Sequence, residues 1–151
     1  MPLRLDIASL APTQYKAMVA LDRCLTLEAR LRALLKVRAS QINHCAFCID
    51  MHWKDARAAG ESEERLYMLN AWPESAQYTD HEKAALELCE AMTLIAESGV
   101  PDDLWSRVSS HFDREELAQL VFAITAINAW NRIAITSGAE PGHYEPRVRS
   151  A

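Results

Sequence analysis

Cys45, Cys48 and His52 fall within one short stretch, NHCAFCIDMH (residues 43–52), in a chain that has only 4 cysteines and 5 histidines. Positions i, i+3 and i+7 share one face of a helix. Two sulfurs one turn apart can close a disulfide with little backbone movement. The first turn of a helix offers unpaired N–H groups and the positive end of the macrodipole, both of which stabilise thiolate. On that ground Cys45, nearer the start, is the more acidic thiol. His52, one turn after Cys48, can exchange a proton with a thiol or a bound water. Three readings stand on the spacing: a redox dithiol, a metal site, or buried thiols in a helical core. A structural zinc wants four ligands. No second CxxC or HxxxH supplies them, so a fourth would have to come from elsewhere in the chain, with His44 and His81 as candidates.

The elements that must position these residues read as helices, and no stretch alternates like a strand. The first spans about Pro12 to Cys24, with Tyr15, Met18, Val19 and Leu21 as its apolar residues. Thr26 can cap a second, with Leu27, Leu31, Leu34, Leu35 and Ile42 as its stripe. A break at Asn43-His44 precedes a third, from about Cys45 to Ala59, which ends at Gly60. Ser62 caps a short helix that stops before Pro73. Thr79 and Glu82 form a capping box for a helix reaching about Glu97. Pro101 suits the first turn of the next, ending near His111. Asp113 and Glu116 form a second box, opening a long apolar helix to Gly138. The tail, GAEPGHYEPRVRSA, reads as irregular. The expectation is one all-α domain over 1–151, with six or seven helices.

Composition bounds the classes. Half the residues are hydrophobic and glycine numbers only 4, which favours an ordered helical globule over a disordered chain. A formal net charge of -5 with no basic run makes nucleic acid an unsuitable partner. The start, MPLRLDIASL, lacks a signal-peptide pattern, and LAQLVFAITAINAW is too short and too polar at its ends to span a bilayer. A cytoplasmic protein with reduced thiols is expected. There, a CxxC is more often catalytic or metal-binding than a structural staple.

The run KVRASQINHCAFCIDMHWKDARAAGESEERL carries R-x-S-Q-x-N, C-x-x-C-x-x-x-H and A-x-x-x-G in succession. With the later INAWNRIA, it resembles the AhpD-like alkylhydroperoxidases of the carboxymuconolactone decarboxylase superfamily, over roughly residues 15 to 137. The resemblance implies an all-helical subunit that assembles into trimers or hexamers. It implies a peroxide-reducing or disulfide-reducing dithiol in antioxidant defence, with no metal or tightly bound organic cofactor. Cys48 would attack the peroxide and become a sulfenic acid, and Cys45 would resolve it to a disulfide. An external dithiol, lipoyl-type or thioredoxin-like, would reduce the enzyme. His52 would belong to a proton relay that activates the attacking thiol. The dipole favours Cys45 while the resemblance assigns attack to Cys48; a relay base can outweigh helix position.

The chain departs from that family in two places. The family's relay includes a glutamate twelve residues before the first cysteine, and Ala33 stands there. Glu28, five residues earlier, is about 140° round the helix and cannot simply replace it. Phe47 occupies the place inside the CxxC where a histidine can stand. His44, His81 and Glu82 are candidate substitutes. Peroxidase activity weaker than a full relay would give is expected, and Ala33→Glu tests whether the missing acid limits it.

Other residues read as structural. Cys24 and Cys89 sit singly among apolar residues. Ser40 and Gln41 can bond the turn or face the pocket. Asp50 points off the Cys48 face, and His111 and His143 carry no chemistry. Arg132 would pair with a carboxylate across the fold or an interface. Trp53, Trp72, Trp105 and Trp130, with Leu117, Leu120, Val121, Ile124 and Ile127, form core or subunit interface. The long helix is apolar round much of its circumference, more than one small domain can bury, which favours an oligomer. Two alternatives remain: a lactone decarboxylase, whose chemistry does not use a CxxC, and a non-catalytic redox-sensing oligomer.

Overall fold

A computed structural model describes residues 3–146 of the chain. Among them there is no strand, and nine α-helices and one 3-10 helix follow one another. They are α1 (Ile7–Leu10), α2 (Pro12–Cys24), α3 (Ala29–Ile42), α4 (Ala46–Ala58) and α5 (Glu63–Tyr67), then a 3-10 helix (Leu69–Glu74). After these come α6 (Asp80–Thr93), α7 (Ile95–Ser98), α8 (Asp102–Ser109) and α9 (Arg114–Ser137). The count exceeds the expected six or seven for three local reasons. α1 has no sequence period long enough to register. The segment after Ser62 tightens into a 3-10 helix that includes Pro73, so it does not stop before it. The helix expected to reach Glu97 kinks at Leu94 (φ -100°, ψ 30°) and restarts as α7.

α3 is the central element, packed against α4, α6 and α9. It therefore buries residues on several sides, including Leu31, Leu34, Leu35, Val37, Ala39 and Ser40. Its N-cap is Glu28 and not Thr26. The Glu28 carboxylate accepts the amides of Arg30 (2.8 Å) and Leu31 (2.7 Å), while the Thr26 N–H donates to Gln119 Oε1 on α9. Both capping boxes form as expected. Thr79 Oγ1 accepts from the Glu82 amide while Glu82 Oε2 accepts from the Thr79 amide, and Asp113 with Glu116 repeats the pattern. Pro101 is the residue just before α8 rather than within its first turn. α9 ends at Gly138 in the left-handed conformation (φ 75°, ψ 38°).

The core is built by Leu34, Leu35, Leu66, Leu86, Leu88, Leu120, Ile124 and Ile127, all fully buried. Truncating one such leucine to alanine costs about 2–5 kcal/mol. Trp72 is buried and donates Nε1 to Glu90 Oε1 at 2.7 Å, whereas Trp105 lies exposed. The stripe on α9 divides: Leu117, Leu120, Ile124 and Ile127 are buried, and Val121 lines a shallow surface hollow with Trp105 and Phe122. Among the described residues, no helix is long and apolar enough to cross a membrane.

Two terminal segments are tied to the helices that carry the thiols. The amides of Arg4 (2.7 Å) and Leu5 (3.3 Å) donate to Ser137 O at the end of α9. The irregular tail runs along α4: the Gly142 amide donates to Asp50 Oδ2, and the Tyr144 hydroxyl donates to Asp55 Oδ1. Asp50 thus pins the tail and pairs with Lys54. The last residues of the tail, 147–151, lie outside the described chain.

Candidate active site

The turn between α3 and α4 sets the position of the thiols. His44 takes φ 56°, a left-handed conformation uncommon for a residue with a side chain. This reverses the chain so that the Cys45 amide donates back to Ser40 O at 2.9 Å. Cys45 becomes the N-cap of α4, and Cys48 and His52 follow on the same helix. His44 itself is exposed and serves the turn.

Cys45 and Cys48 are free thiols, each only 1% exposed, packed with Ala134 of α9, Phe47 and Ala139. The Cys48 thiol donates a hydrogen bond to Cys45, and this holds the Cys45 thiol down at about 7 against the opposing effect of burial. The Cys48 amide, three residues into α4, and the Asn131 side chain add to it. Cys48 is pushed well above the ordinary thiol range by giving its hydrogen to Cys45, by burial and by the charge on Cys45. The direction is the one the helix start favours, but its largest cause is the Cys48 side chain and not the helix start.

Access falls to the other sulfur. Cys48, not Cys45, lines a pocket of about 350 Å³, beside His52. Its walls are apolar: Leu3, Leu5 and Ile7 from the N-terminal segment, Val19 from α2, and Trp130 and Ile133 from α9. Tyr15 meets Trp130 edge-on at 5.3 Å between ring centres. The polar part holds Asp22, Arg23 and Lys36. His52 is 7% exposed and its Nε2 has no hydrogen-bond partner. Its ring is pushed down to about 3 by burial and by the nearby Lys36 ammonium, with Asp22 pulling the other way.

A polar brace holds the back of the site. Ser40 Oγ donates to Lys36 O (2.7 Å) and accepts from Asn131 Nδ2 (3.0 Å). Asn43 Nδ2 lies 2.9 Å from the side-chain oxygens of both Asn128 and Asn131. Ser40 thus braces the turn, and Gln41 accepts from Arg38.

Other expected residues lie elsewhere. His81 stacks on Phe112 (4.0 Å between centres), and Glu82 pairs with Arg65, so neither reaches the thiols. Among the described residues, no group of three or more His, Cys, Asp or Glu side chains could hold a metal, and the four-ligand zinc arrangement is not assembled. Arg132 donates to the carbonyl and side-chain oxygen of Asn128 in its own helix, where a carboxylate was expected. Cys24 is exposed rather than packed among apolar residues. Cys89 is buried in the core, where burial pushes its thiol up to about 12.

Sequence reasoning missed Asp22, Lys36 and Asn131. Asp22 gave a usable signal: it continues the helical line Tyr15–Val19 at i+7 and i+3, so a charge falls on an apolar stripe.

The model of the carboxymuconolactone decarboxylase family matches residues 12–91. The uncharacterized protein YdfG of Bacillus subtilis (strain 168) is 46% identical over 141 residues, covering 91% of this chain and 96% of YdfG. A crystal structure of ATU0492 from Agrobacterium tumefaciens, a protein of unknown function described as a candidate antioxidant defence protein AhpD, superposes with a TM-score of 0.90 at 41% identity. That match covers 95% of this chain and 100% of the other. The debrominase Bmp8, solved with 2,3,4-tribromopyrrole, shares the fold at a TM-score of 0.80 and 14% identity, over 89% of this chain and 74% of its own.

Proposed function

We infer the activity from one premise: the chain belongs to the carboxymuconolactone decarboxylase family, as an AhpD-like protein. The reading is a thiol-dependent peroxidase or disulfide reductase in antioxidant defence. One observation carries it: Cys48 opens on an apolar pocket beside His52, with Cys45 in hydrogen-bonding reach behind it.

The cycle balances as follows. Cys48 gives up its proton, and its sulfur attacks the distal oxygen of a hydroperoxide. The O–O bond breaks, the alkoxide takes a proton and leaves as alcohol, and Cys48 becomes a sulfenic acid. Cys45, poised as thiolate, attacks that sulfur and expels hydroxide, which leaves as water once protonated. An external dithiol, lipoyl-type or thioredoxin-like, reduces the Cys45–Cys48 disulfide by exchange. No metal or bound organic cofactor enters. A reducing cytoplasm would keep both thiols free between cycles.

A homo-oligomer is part of the reading. The exposed Trp105 and Phe122 beside Val121 form an apolar hollow that supports self-association. A second reading, a redox sensor that oxidises once, is favoured by how deeply both thiols are buried.

Steady-state reduction of cumene hydroperoxide with dihydrolipoamide, run beside Cys48→Ser, separates the two. Many turnovers, abolished in the variant, are expected. A single equivalent of disulfide without turnover would replace the peroxidase by the sensor. Debromination of a bromopyrrole in the same assay would move the substrate class toward that of Bmp8.

A further inference from the structure

Two buried polar atoms of the described residues have no hydrogen-bond partner: Asp22 Oδ1 and His52 Nε2. Both residues line the pocket that Cys48 opens on. Asp22 is anchored from its other oxygen, which meets Lys36 Nζ at 2.8 Å. Other carboxylates, Asp6 in the same pocket and Glu28 and Glu82 away from it, are committed. Asp6 caps α1 through the amide and hydroxyl of Ser9, Glu28 caps α3, and Glu82 pairs with Arg65. An imidazole nitrogen and a carboxylate oxygen are complementary. A pocket of about 350 Å³ has room for a water to join them, since a water needs roughly 30 Å³.

We propose that Asp22 is a positioning residue that acts on Cys48 through His52, its free oxygen stabilising the imidazolium formed when His52 takes the Cys48 proton. This deepens the thiol-reactivity reading above and rests on it. In the peroxide step, the proton passes from Cys48 to His52. The Cys48 electron pair goes to the distal peroxide oxygen, and the departing alkoxide collects the proton from His52. Asp22 ends the step unchanged. Burial and Lys36 hold His52 neutral at rest against the pull of Asp22, so its imidazolium forms only in passing, with the Asp22 carboxylate as the opposing charge that favours it. The titratable and charged groups sharing the pocket with His52 are Asp6, Tyr15, Asp22, Arg23, Lys36 and Cys48; α9 lines it with uncharged residues.

The test is the rate of iodoacetamide alkylation at Cys48, located by peptide mass spectrometry, between pH 6 and 10. It compares wild type, Asp22→Asn, Lys36→Met, His52→Gln and the Asp22→Asn/His52→Gln double variant. If Asp22 acts through His52, Asp22→Asn slows alkylation at pH 7 about tenfold, one pKa unit in the thiol. Lys36→Met, which frees the carboxylate, speeds it. The double variant is no slower than His52→Gln alone. Asp22 acting only as a nearby negative charge gives the opposite signs: Asp22→Asn faster, Lys36→Met slower, and additive effects. That pattern overturns the proposal. Should Asp22→Asn fail to unfold cooperatively by circular dichroism, the sign of Lys36→Met still decides. Peroxide turnover has no part in this readout. The expected signs in a protein that reduces no peroxide would keep the relay and remove the peroxidase.

Discussion

Two clusters of buried ionisable groups differ in how their polar atoms are satisfied. Around Glu61, every acceptor is filled. Its carboxylate, 2% exposed, takes Arg30 Nε (2.8 Å), Arg30 Nη2 (3.2 Å), the Ser62 amide (2.8 Å) and Arg65 Nε (3.0 Å). Arg65 continues to Glu82, lies 4.8 Å over the Tyr78 ring, and donates to Gln77 O, while the Tyr78 hydroxyl donates to Arg65 O. Around Cys48, Asp22 Oδ1 and His52 Nε2 are left without partners. A saturated network resists change in one place, tying α5 to α3 and the start of α6. An unsaturated one leaves bonds to be made with a substrate. The first holds the fold, and the second is where chemistry has room.

The largest effect should come from the unsaturated side. Cys48→Ser is expected to lower peroxide turnover at least about a thousandfold with little change in melting temperature. A large loss of melting temperature would mean the thiol pair is structural and would erase the contrast. Glu61→Gln should do the reverse. Breaking a buried ion pair costs about 3–5 kcal/mol, so thermal unfolding should begin well below wild type. Alkylation of Cys48 at pH 7 should stay unchanged in the same protein. An altered alkylation rate would show that the two regions are coupled.

Acid gives a smaller and graded effect. Burial pushes Glu61 and Glu82 up, but hydrogen bonds from Arg30 and Arg65 respectively, with backbone amides, leave both below the ordinary glutamate value. A depressed folded-state pKa means that the unfolded chain takes up protons first as pH falls. The stabilisation is present above the ordinary glutamate value of 4.5 and is lost as pH falls through the lower folded values. The gap in melting temperature between wild type and Glu61→Gln should therefore narrow below about pH 4.5. A gap that stays constant down to pH 3 would remove the charge on Glu61 as the source of stability.

How much of this could be foreseen depended on range along the chain. The two capping boxes and the αL glycine at Gly138 are local, and the sequence displays them completely. The Glu28 cap is local too, but carboxylates cap by folding back over two or three residues, which competes with the threonine signal beside it. The dithiol and its histidine are legible because one helix carries all three. Asp22, Lys36 and Asn131 were not, because they come to the site from α2, α3 and α9, and no spacing rule links positions so far apart. The N-terminal wall of the pocket has the same cause: Leu3, Leu5 and Ile7 arrive only because backbone bonds tie that segment to Ser137.

The smallest expected effect bears on position 33. Ala33 is half-buried against the main core, one helical turn before Lys36. A glutamate there stands at i, i+3 from Lys36 and would compete with Asp22 for the same ammonium. If the relay acid is already supplied from α2, Ala33→Glu should change peroxide turnover by less than about twofold, since general acid–base groups contribute 10²–10⁴-fold only when they are the ones in use. The same substitution made in Asp22→Asn should recover part of the lost rate, because the carboxylate then has no rival. A rise of tenfold or more in the wild-type background would say the opposite. The gap at position 33 would be what limits the enzyme, and Asp22 would be only the counter-ion that keeps Lys36 folded against α2.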